Sequence, residues 1–314
     1  MRILIALLAI LLPVSAHAQT LAQGQSAAEC LQRAENYVPV AQRYEEGMIF
    51  RLEKCGFPTS YVMGTMHLDD ASITPLYEEA VALMQATTQV GFEFVENAQS
   101  AQMAQQYLFL PPSQPAGLNT MLTPEEFQQL TAELQTRAGI PPQAANRLHP
   151  WAASVVLQFP APTQDGIALD VRLQHAAMQL GKALFSLETP KEQYDVFASI
   201  PPDKQVDMLK DTLADLAAID ASNVRLLSAY VDRDLETMDA IAEESLEMMD
   251  DVELQTYMQD ALIDARNKLM VRRMQPKLAA GPSMVAIGAL HLMGSEKGIL
   301  PLLEADGWRV YPQF

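Results

Sequence analysis

Several features that mark common classes of protein are missing from this sequence. After Val14, no stretch approaches the ~20 consecutive apolar residues that a transmembrane helix requires. There is no glycine-rich phosphate-binding loop, and no basic and aromatic patch of the kind that binds nucleic acid. Basic residues are scarce, because 21 Lys and Arg stand against 39 Asp and Glu, a net charge of −18 over 314 residues. This imbalance argues against nucleic acids and anionic membrane surfaces as partners.

Cysteine is nearly absent, since Cys30 and Cys55 are the only two. Neither belongs to a C-x-x-C pair or has a neighbouring His, which argues against a catalytic or metal-binding thiol. In an oxidising compartment the two are expected to form a disulfide that joins the leading helix to the first hairpin. Closing a loop of that length would stabilise the fold by about 3 kcal/mol.

The N-terminus has the organisation of a secretory signal peptide. Arg2 supplies a positive charge, an apolar segment runs from Ile3 to Val14, and Ala16-His17-Ala18 matches a small-x-small cleavage site. The apolar segment is short for a membrane span, so the cleavage site favours removal over a retained anchor. The sequence therefore predicts a signal peptide over residues 1–18 and a periplasmic or secreted mature protein.

Strand and helix patterns alternate along the mature sequence. Strand patterns occur at 48–53, 60–63, 89–94, 183–187, 284–288 and 308–311. A helical pattern from Pro75 to Ala86 separates two of these strands, which are expected to be parallel in such a β-α-β unit. The sequence predicts a single α/β domain over 19–314, with a central mixed, largely parallel sheet flanked by helices. Helical insertions are expected at about 100–160 and 203–279.

Two short motifs read as copies of each other, Gly64-Thr65-Met66-His67 and Gly288-Ala289-Leu290-His291. Each follows an apolar strand pattern, and its Gly indicates a tight turn at the end of the strand. Imidazole is well suited to metal ligation and to proton transfer near neutral pH. The repetition predicts one site that contains His67 and His291. His149 and His175 lack this context and are expected to be structural.

Glu93 and Glu188 come at the ends of two further strand patterns. Because sites in parallel sheets gather beyond the carboxyl ends of the strands, both are expected beside His67 and His291. Two His and two Glu are a plausible ligand set for zinc, manganese or cobalt, which support hydrolytic chemistry. Each of these two glutamates has an alternative interpretation. Glu93 would face solvent if its strand lay at an edge, and Glu188 would be an N-terminal helix acid before Thr189.

Arg266 lies on a helix predicted from about Leu254 to Met274, at the border of its apolar stripe. A guanidinium there would bind a substrate carboxylate, orient Glu93 or Glu188, or stabilise an oxyanion. The alternative is an arginine whose charged end extends to solvent at the rim of the core.

These residues, in this order, resemble the TraB/GumN family, which includes the animal Tiki metalloproteases and is related to the erythromycin-esterase-like and ChaN-like proteins. The resemblance spans about Met48 to Tyr311. It rests on both Gly-x-x-His motifs, Glu93, Leu187-Glu188-Thr189 with Gln193, and Arg266-Asn267. It implies an α/β sheet flanked by helices, with internal duplication of the β-α units that bear the motifs. It also implies that His67, His291, Glu93 and Arg266 are the signature residues.

The residues and the resemblance together predict an exported metal-dependent hydrolase, a peptidase acting on a peptide or protein. His67 and His291 would hold manganese, cobalt or zinc with help from Glu93 or Glu188, and the other Glu would be the general base. Arg266 would stabilise developing charge or anchor the substrate. The alternative is a non-catalytic binding protein for a peptide, haem or another small ligand, and the GumN name adds a role in assembly of an exported polysaccharide.

Overall fold

A computed structural model describes residues 37–39, 46–162, 167–292 and 295–313. The predicted signal peptide and Cys30 lie outside these residues, so both the signal peptide and the Cys30–Cys55 disulfide stay predictions. Cys55 lies in the turn between the first two strands. Among the described residues, no helix combines the length and the apolar character needed to cross a membrane.

The described residues form one six-stranded sheet and a series of helices. The strands are β1 (Ile49–Glu53), β2 (Ser60–Thr65), β3 (Gln89–Phe92), β4 (Ala183–Ser186), β5 (Ser283–Gly288) and β6 (Arg309–Gln313). The α-helices are α1 (Thr74–Met84), α2 (Ala98–Leu108), α3 (Pro124–Ala138), α4 (Pro142–Ala145), α5 (Pro150–Leu157), α6 (Leu169–Gln179), α7 (Pro190–Ala198), α8 (Pro202–Ala214), α9 (Leu216–Val231), α10 (Leu235–Glu247), α11 (Val252–Met258), α12 (Ala265–Ala280) and α13 (Ile299–Ala305). A π-helical turn, Gln259–Asp264, joins α11 to α12.

The strand order is β4-β3-β5-β2-β1-β6. The neighbours β4, β3, β5 and β2 are parallel, whereas β1 is antiparallel to both β2 and β6. The predicted mixed, largely parallel sheet with flanking helices is therefore confirmed. Its four adjacent parallel strands place their carboxyl ends along the same edge of the sheet.

The centre of this sheet pairs an early strand of the sequence, β2, with a late one, β5. The strands of the β2-α1-β3 unit are parallel but are not neighbours, because β5 lies between them. β5 pairs Ile287 with Gly64 of β2, and Ala286 with Phe92 of β3. Helices cover both faces of the parallel part of the sheet, which explains the nearly continuous burial of Ser283–Gly288.

The described residues contain two hydrophobic clusters. One surrounds the sheet and includes Val62 of β2 and Met284 of β5, together with residues of α1, α6, α12 and α13. The other lies among α3, α5 and α8 and includes Leu130 and Trp151. Burying each large apolar side chain stabilises the fold by about 1.5–3 kcal/mol. The helices of the second cluster thus pack largely on one another, while the first cluster supports the strands that carry the site.

Candidate active site

The two Gly-x-x-His motifs begin in the last residues of the adjacent strands β2 and β5, and their histidines lie just past the strand ends. Their register places Gly64 opposite Ile287, so the second turn packs directly on the first. A Cβ atom on Gly64 would lie 2.8 Å from Leu292 Cδ1 and 2.9 Å from Ala289 Cα. Glycine is needed at this position because the backbone of the second motif occupies the space of a side chain.

Glu93 and Glu188 follow β3 and β4 in the same manner. The pairing of these strands continues past their ends, because Leu187 N–H donates to Phe92 O at 2.9 Å and Glu188 N–H donates to Glu93 O at 2.7 Å. The Glu93 side chain is 14% exposed and the Glu188 side chain is 0% exposed. The carboxylates therefore lie side by side at the edge where the motifs end.

Arg266 joins the two carboxylates. Its Nη2 lies 2.7 Å from both Glu93 Oε2 and Glu188 Oε2, and its Nε donates to Glu188 Oε1 at 3.0 Å and Oε2 at 3.1 Å. Its Nη1 donates to Leu262 O, in the π-helical turn, at 3.0 Å. Gln193 Nε2 donates to Glu93 Oε2 at 2.8 Å and to Glu188 Oε2 at 3.2 Å. The guanidinium of Arg266 thus lies between the two carboxylates and contacts both of them.

The acid in the first turn of α7, the alternative role considered for Glu188, is Glu192. Thr189 Oγ1 accepts from Glu192 N–H at 3.2 Å, and Glu192 Oε2 accepts from Thr189 N–H at 2.8 Å, which together form the capping box of α7. Glu188 precedes this box, and its side chain is buried against Arg266.

His291 is buried and faces Glu93. Its side chain is 6% exposed, and its Nε2 lies 4.0 Å from Glu93 Oε1. Its Nδ1 lies 2.6 Å from Asn267 Oδ1. Burial lowers the pKa of His291 to about 4, because a charged ring is poorly solvated there. The imidazole is therefore neutral near pH 7.

His67 lies on the solvent side of this group, with a side chain that is 51% exposed. Its Nδ1 lies 2.8 Å from Asp170 Oδ2, and the charge of Asp170 raises the pKa of His67 to about 9. Asp170 belongs to α6, and its Oδ1 accepts from Thr65 Oγ1 at 2.5 Å. Sequence reasoning missed Asp170, because no motif distinguishes it from the other acids of the helical segments.

Glu93 is ionised despite its burial. Burial alone would raise its pKa, but His291, Arg266 and His67 together with the Gly288 N–H lower the pKa to about 2. The Gly288 N–H donates to Glu93 Oε1 at 2.7 Å. The atom that faces His291 is thus an oxygen of a carboxylate, the form that ligates metal ions.

Within the described residues, no group of three His, Cys, Asp or Glu side chains is already arranged as a metal site. The pair of His291 and Glu93 nevertheless fits a cation chemically. Its two facing atoms, 4.0 Å apart, are both acceptors if the ring proton is on Nδ1. At ligand distances of about 2.0–2.2 Å, a cation between these atoms would have a ligand–metal–ligand angle of about 130–180°, so the two side chains would approach each other by about 0.5 Å to share a tetrahedral ion.

The molecule is thus an α/β protein whose polar site lies beyond the carboxyl ends of four adjacent parallel strands. The model of the TraB/PrgY/gumN family matches residues 48–312. The chain belongs to this family, and the resemblance found in the sequence is confirmed. Comparison with curated proteins and with solved structures gave no match.

Proposed function

We propose that this protein is an exported metal-dependent hydrolase that acts on a peptide or protein substrate. His67, His291 and Glu93 would hold a divalent cation of the manganese, cobalt or zinc type. Such a cation would supply polarisation of a substrate carbonyl and acidification of a water molecule. The observation that carries the proposal is the 4.0 Å separation of His291 Nε2 from an ionised oxygen of Glu93.

The charges at this edge favour a divalent cation. Glu93, Glu188 and Asp170 are carboxylates, whereas Arg266 is the guanidinium that pairs with the first two. When both imidazoles are neutral, as metal ligation requires, this group carries an excess of negative charge. Buried charge of one sign is costly unless a counter-ion balances it, and a divalent cation would do so.

Glu93 is best assigned as a ligand. Arg266 and Gln193 hold its Oε2, while its Oε1 faces His291. A carboxyl group with a pKa of about 2 accepts protons weakly near pH 7, which favours ligation over general-base catalysis. Glu188 is a poor candidate for the base, because its carboxylate is buried and engaged by Arg266 and Gln193.

Arg266 and Glu188 are therefore positioning residues in this proposal. Four of the five N–H groups of Arg266 donate to Glu93, Glu188 or Leu262 O. A guanidinium engaged in this way has little capacity left for a substrate carboxylate. Its contribution is to hold the Glu93 carboxylate in one orientation toward His291.

The choice of a peptide or protein substrate follows the Tiki branch of the family, and one feature of the structure supports it. The Phe159 ring is 40% exposed and lies edge-on to the His67 ring, with ring centroids 6.2 Å apart. Arg137 Nη1 donates to Phe159 O at 3.1 Å and so anchors its backbone. Phe159 would give an apolar side chain of a peptide a surface beside the site. The export of the protein rests on the predicted signal peptide.

The test is turnover of a mixture of model peptides by the mature protein, with added Mn²⁺ or Co²⁺ and product detection by mass spectrometry. We expect cleavage that requires the metal, is lost in His291→Ala, and is retained in His175→Ala, a matched change at an exposed histidine of α6. Peptide capture that resists chelation and yields no product would instead support a binding protein. Cleavage that persists in chelator and in His291→Ala would contradict the proposal.

A further inference from the structure

The partners of the two imidazoles decide which ring nitrogen carries the proton. Asn267 Nδ2 donates to Lys297 O at 3.0 Å, and a carbonyl oxygen can only accept. The amide of Asn267 must therefore present its Oδ1 to His291 Nδ1, 2.6 Å away. Since Oδ1 also only accepts, Nδ1 carries the proton and the lone pair of His291 lies on Nε2. Asn267 is 0% exposed, which shields this arrangement from water.

Asp170 orients the His67 ring in the same way, with Nδ1 toward an acceptor oxygen. Its Nδ1 lies 2.8 Å from Asp170 Oδ2, while Asp170 Oδ1 accepts from the hydroxyl of Thr65. An ionised carboxylate accepts hydrogen bonds and donates none, so Nδ1 of His67 keeps its proton, and Nε2 is the nitrogen that gives up its proton when a cation binds. Thr65 is the last residue of β2 and lies two residues before His67. The end of β2 therefore helps to position Asp170, which in turn holds the His67 ring.

We propose that Asp170 and Asn267 are positioning residues that fix His67 and His291 with the proton on Nδ1 and so present both Nε2 atoms to the cation. This inference rests on the proposed function, because it assumes that the two histidines are ligands. In metal sites, a carboxylate or carbonyl partner on the second ring nitrogen orients the ring and raises its basicity. Asn267 belongs to the Arg266-Asn267 pair on which the family resemblance partly rests, whereas Asp170 belongs to none of its motifs.

The two partners differ in charge, which predicts different effects on the site. Asp170 is a carboxylate, so it both orients the His67 ring and increases the electron density that the ring offers to a cation. Asn267 is neutral, so for His291 the orienting effect dominates. The geometry of Asn267 is set by α12, because Asn267 directly follows the Arg266 that holds Glu93. The first turn of α12 therefore positions Glu93 and His291 together.

The experiment measures Co²⁺ binding to the purified full chain by its visible absorption, which reports both affinity and ligand geometry. Loss of such a partner weakens metal affinity by about 10–100-fold. We expect this loss in Asp170→Ala and in Asn267→Ala, with an altered cobalt spectrum at saturating metal. Asp170→Asn, which retains an acceptor oxygen without the charge, is expected to recover part of the affinity. Asp195→Ala, at an exposed acid of α7 that pairs with Lys191, is the control and should bind as wild type.

Each outcome decides one point. Wild-type affinity and spectrum in Asp170→Ala or Asn267→Ala would overturn the inference for the corresponding histidine.

If Asp170→Ala fails to fold by circular dichroism, the isosteric Asp170→Asn decides for His67. If Asn267→Ala fails to fold, Asn267→Asp decides for His291, because it retains an acceptor at Nδ1 and should bind Co²⁺ with at most a partial loss. Unmeasurable binding in a folded Asn267→Asp would overturn the inference. Failure of the proposed function gives a different result, since the wild-type chain itself would then show no cobalt absorption.

Discussion

Replacing Arg266 with Met removes the guanidinium that pairs with both Glu93 and Glu188. The two carboxylates would stay buried, with side-chain exposures of 14% and 0%. Removing one partner of a buried ion pair costs about 3–5 kcal/mol, because an uncompensated charge is left in the interior. We expect Arg266→Met to lower the free energy of unfolding at pH 7 by an amount in this range.

The cost should depend on pH in a defined direction. Arg266 is one of the groups that lower the pKa of Glu93, so its removal raises that pKa. In the wild type, the low pKa of Glu93 contributes stability that is fully present above the unfolded pKa of about 4.5 and is lost as the pH falls toward 2. The variant loses part of this contribution, because its Glu93 binds a proton at a higher pH. The deficit of Arg266→Met relative to wild type should therefore be largest near neutral pH and shrink as the pH falls from about 4.5 toward 2.

The assay is urea denaturation followed by circular dichroism, with Arg225→Met as the matched control. Arg225 pairs with Glu244 on the surface, where the two side chains are 51% and 54% exposed. Such an exposed pair is worth at most about 1 kcal/mol. Adding Glu188→Leu to Arg266→Met should restore part of the lost stability, because it removes one of the stranded charges. A loss in Arg266→Met no larger than in Arg225→Met would refute the reasoning.

Further substitutions test individual features of the fold. Gly91→Ala should destabilise the sheet by about 1–3 kcal/mol, since its Cβ would lie 2.4 Å from the Phe185 ring, and thermal melting measures this. Thr123→Ala should cost about 1 kcal/mol by removing the N-cap of α3, measured by urea denaturation. Glu192→Gln should lower stability at neutral pH, because hydrogen bonding to Arg273 lowers the pKa of Glu192 to about 2. That difference should fade as the pH falls from about 4.5 toward 2, and stability that differs equally at all pH values would contradict it.

Local sequence pattern was sufficient to predict the strands but not their order. The apolar runs of β2 and β5 each fill a strand that is buried in the sheet, so their existence is evident from composition. β5 lies between β2 and β3 and so pairs residues that are about 190 or more positions apart in the sequence. No local pattern of apolar residues predicts such a pairing. The repeated Gly-x-x-His motif was the one sequence signal that linked the two ends of the chain.

The site was predictable where a residue sits in a motif or at the end of a strand. Glu93 and Glu188 were found from their positions, but their different exposures depend on tertiary packing around Arg266. Asp170 was missed because it is an acid on a helix, a context in which most acids simply face solvent. Its contact with His67 arises from the placement of α6 beside the end of β2, which is a property of the fold and not of the segment.

Calorimetric titration of the metal-free chain with Mn²⁺ or Zn²⁺ tests most directly whether His67, His291 and Glu93 bind a divalent cation, as we propose. We predict one site per chain in the wild type, and the same site in His175→Ala. Replacing a residue that only positions a ligand lowers metal affinity by about 10–100-fold. In His67→Ala and in His291→Ala, the metal affinity should fall by more than this. Binding that is unchanged in both histidine variants, or absent from the wild type, would contradict the account.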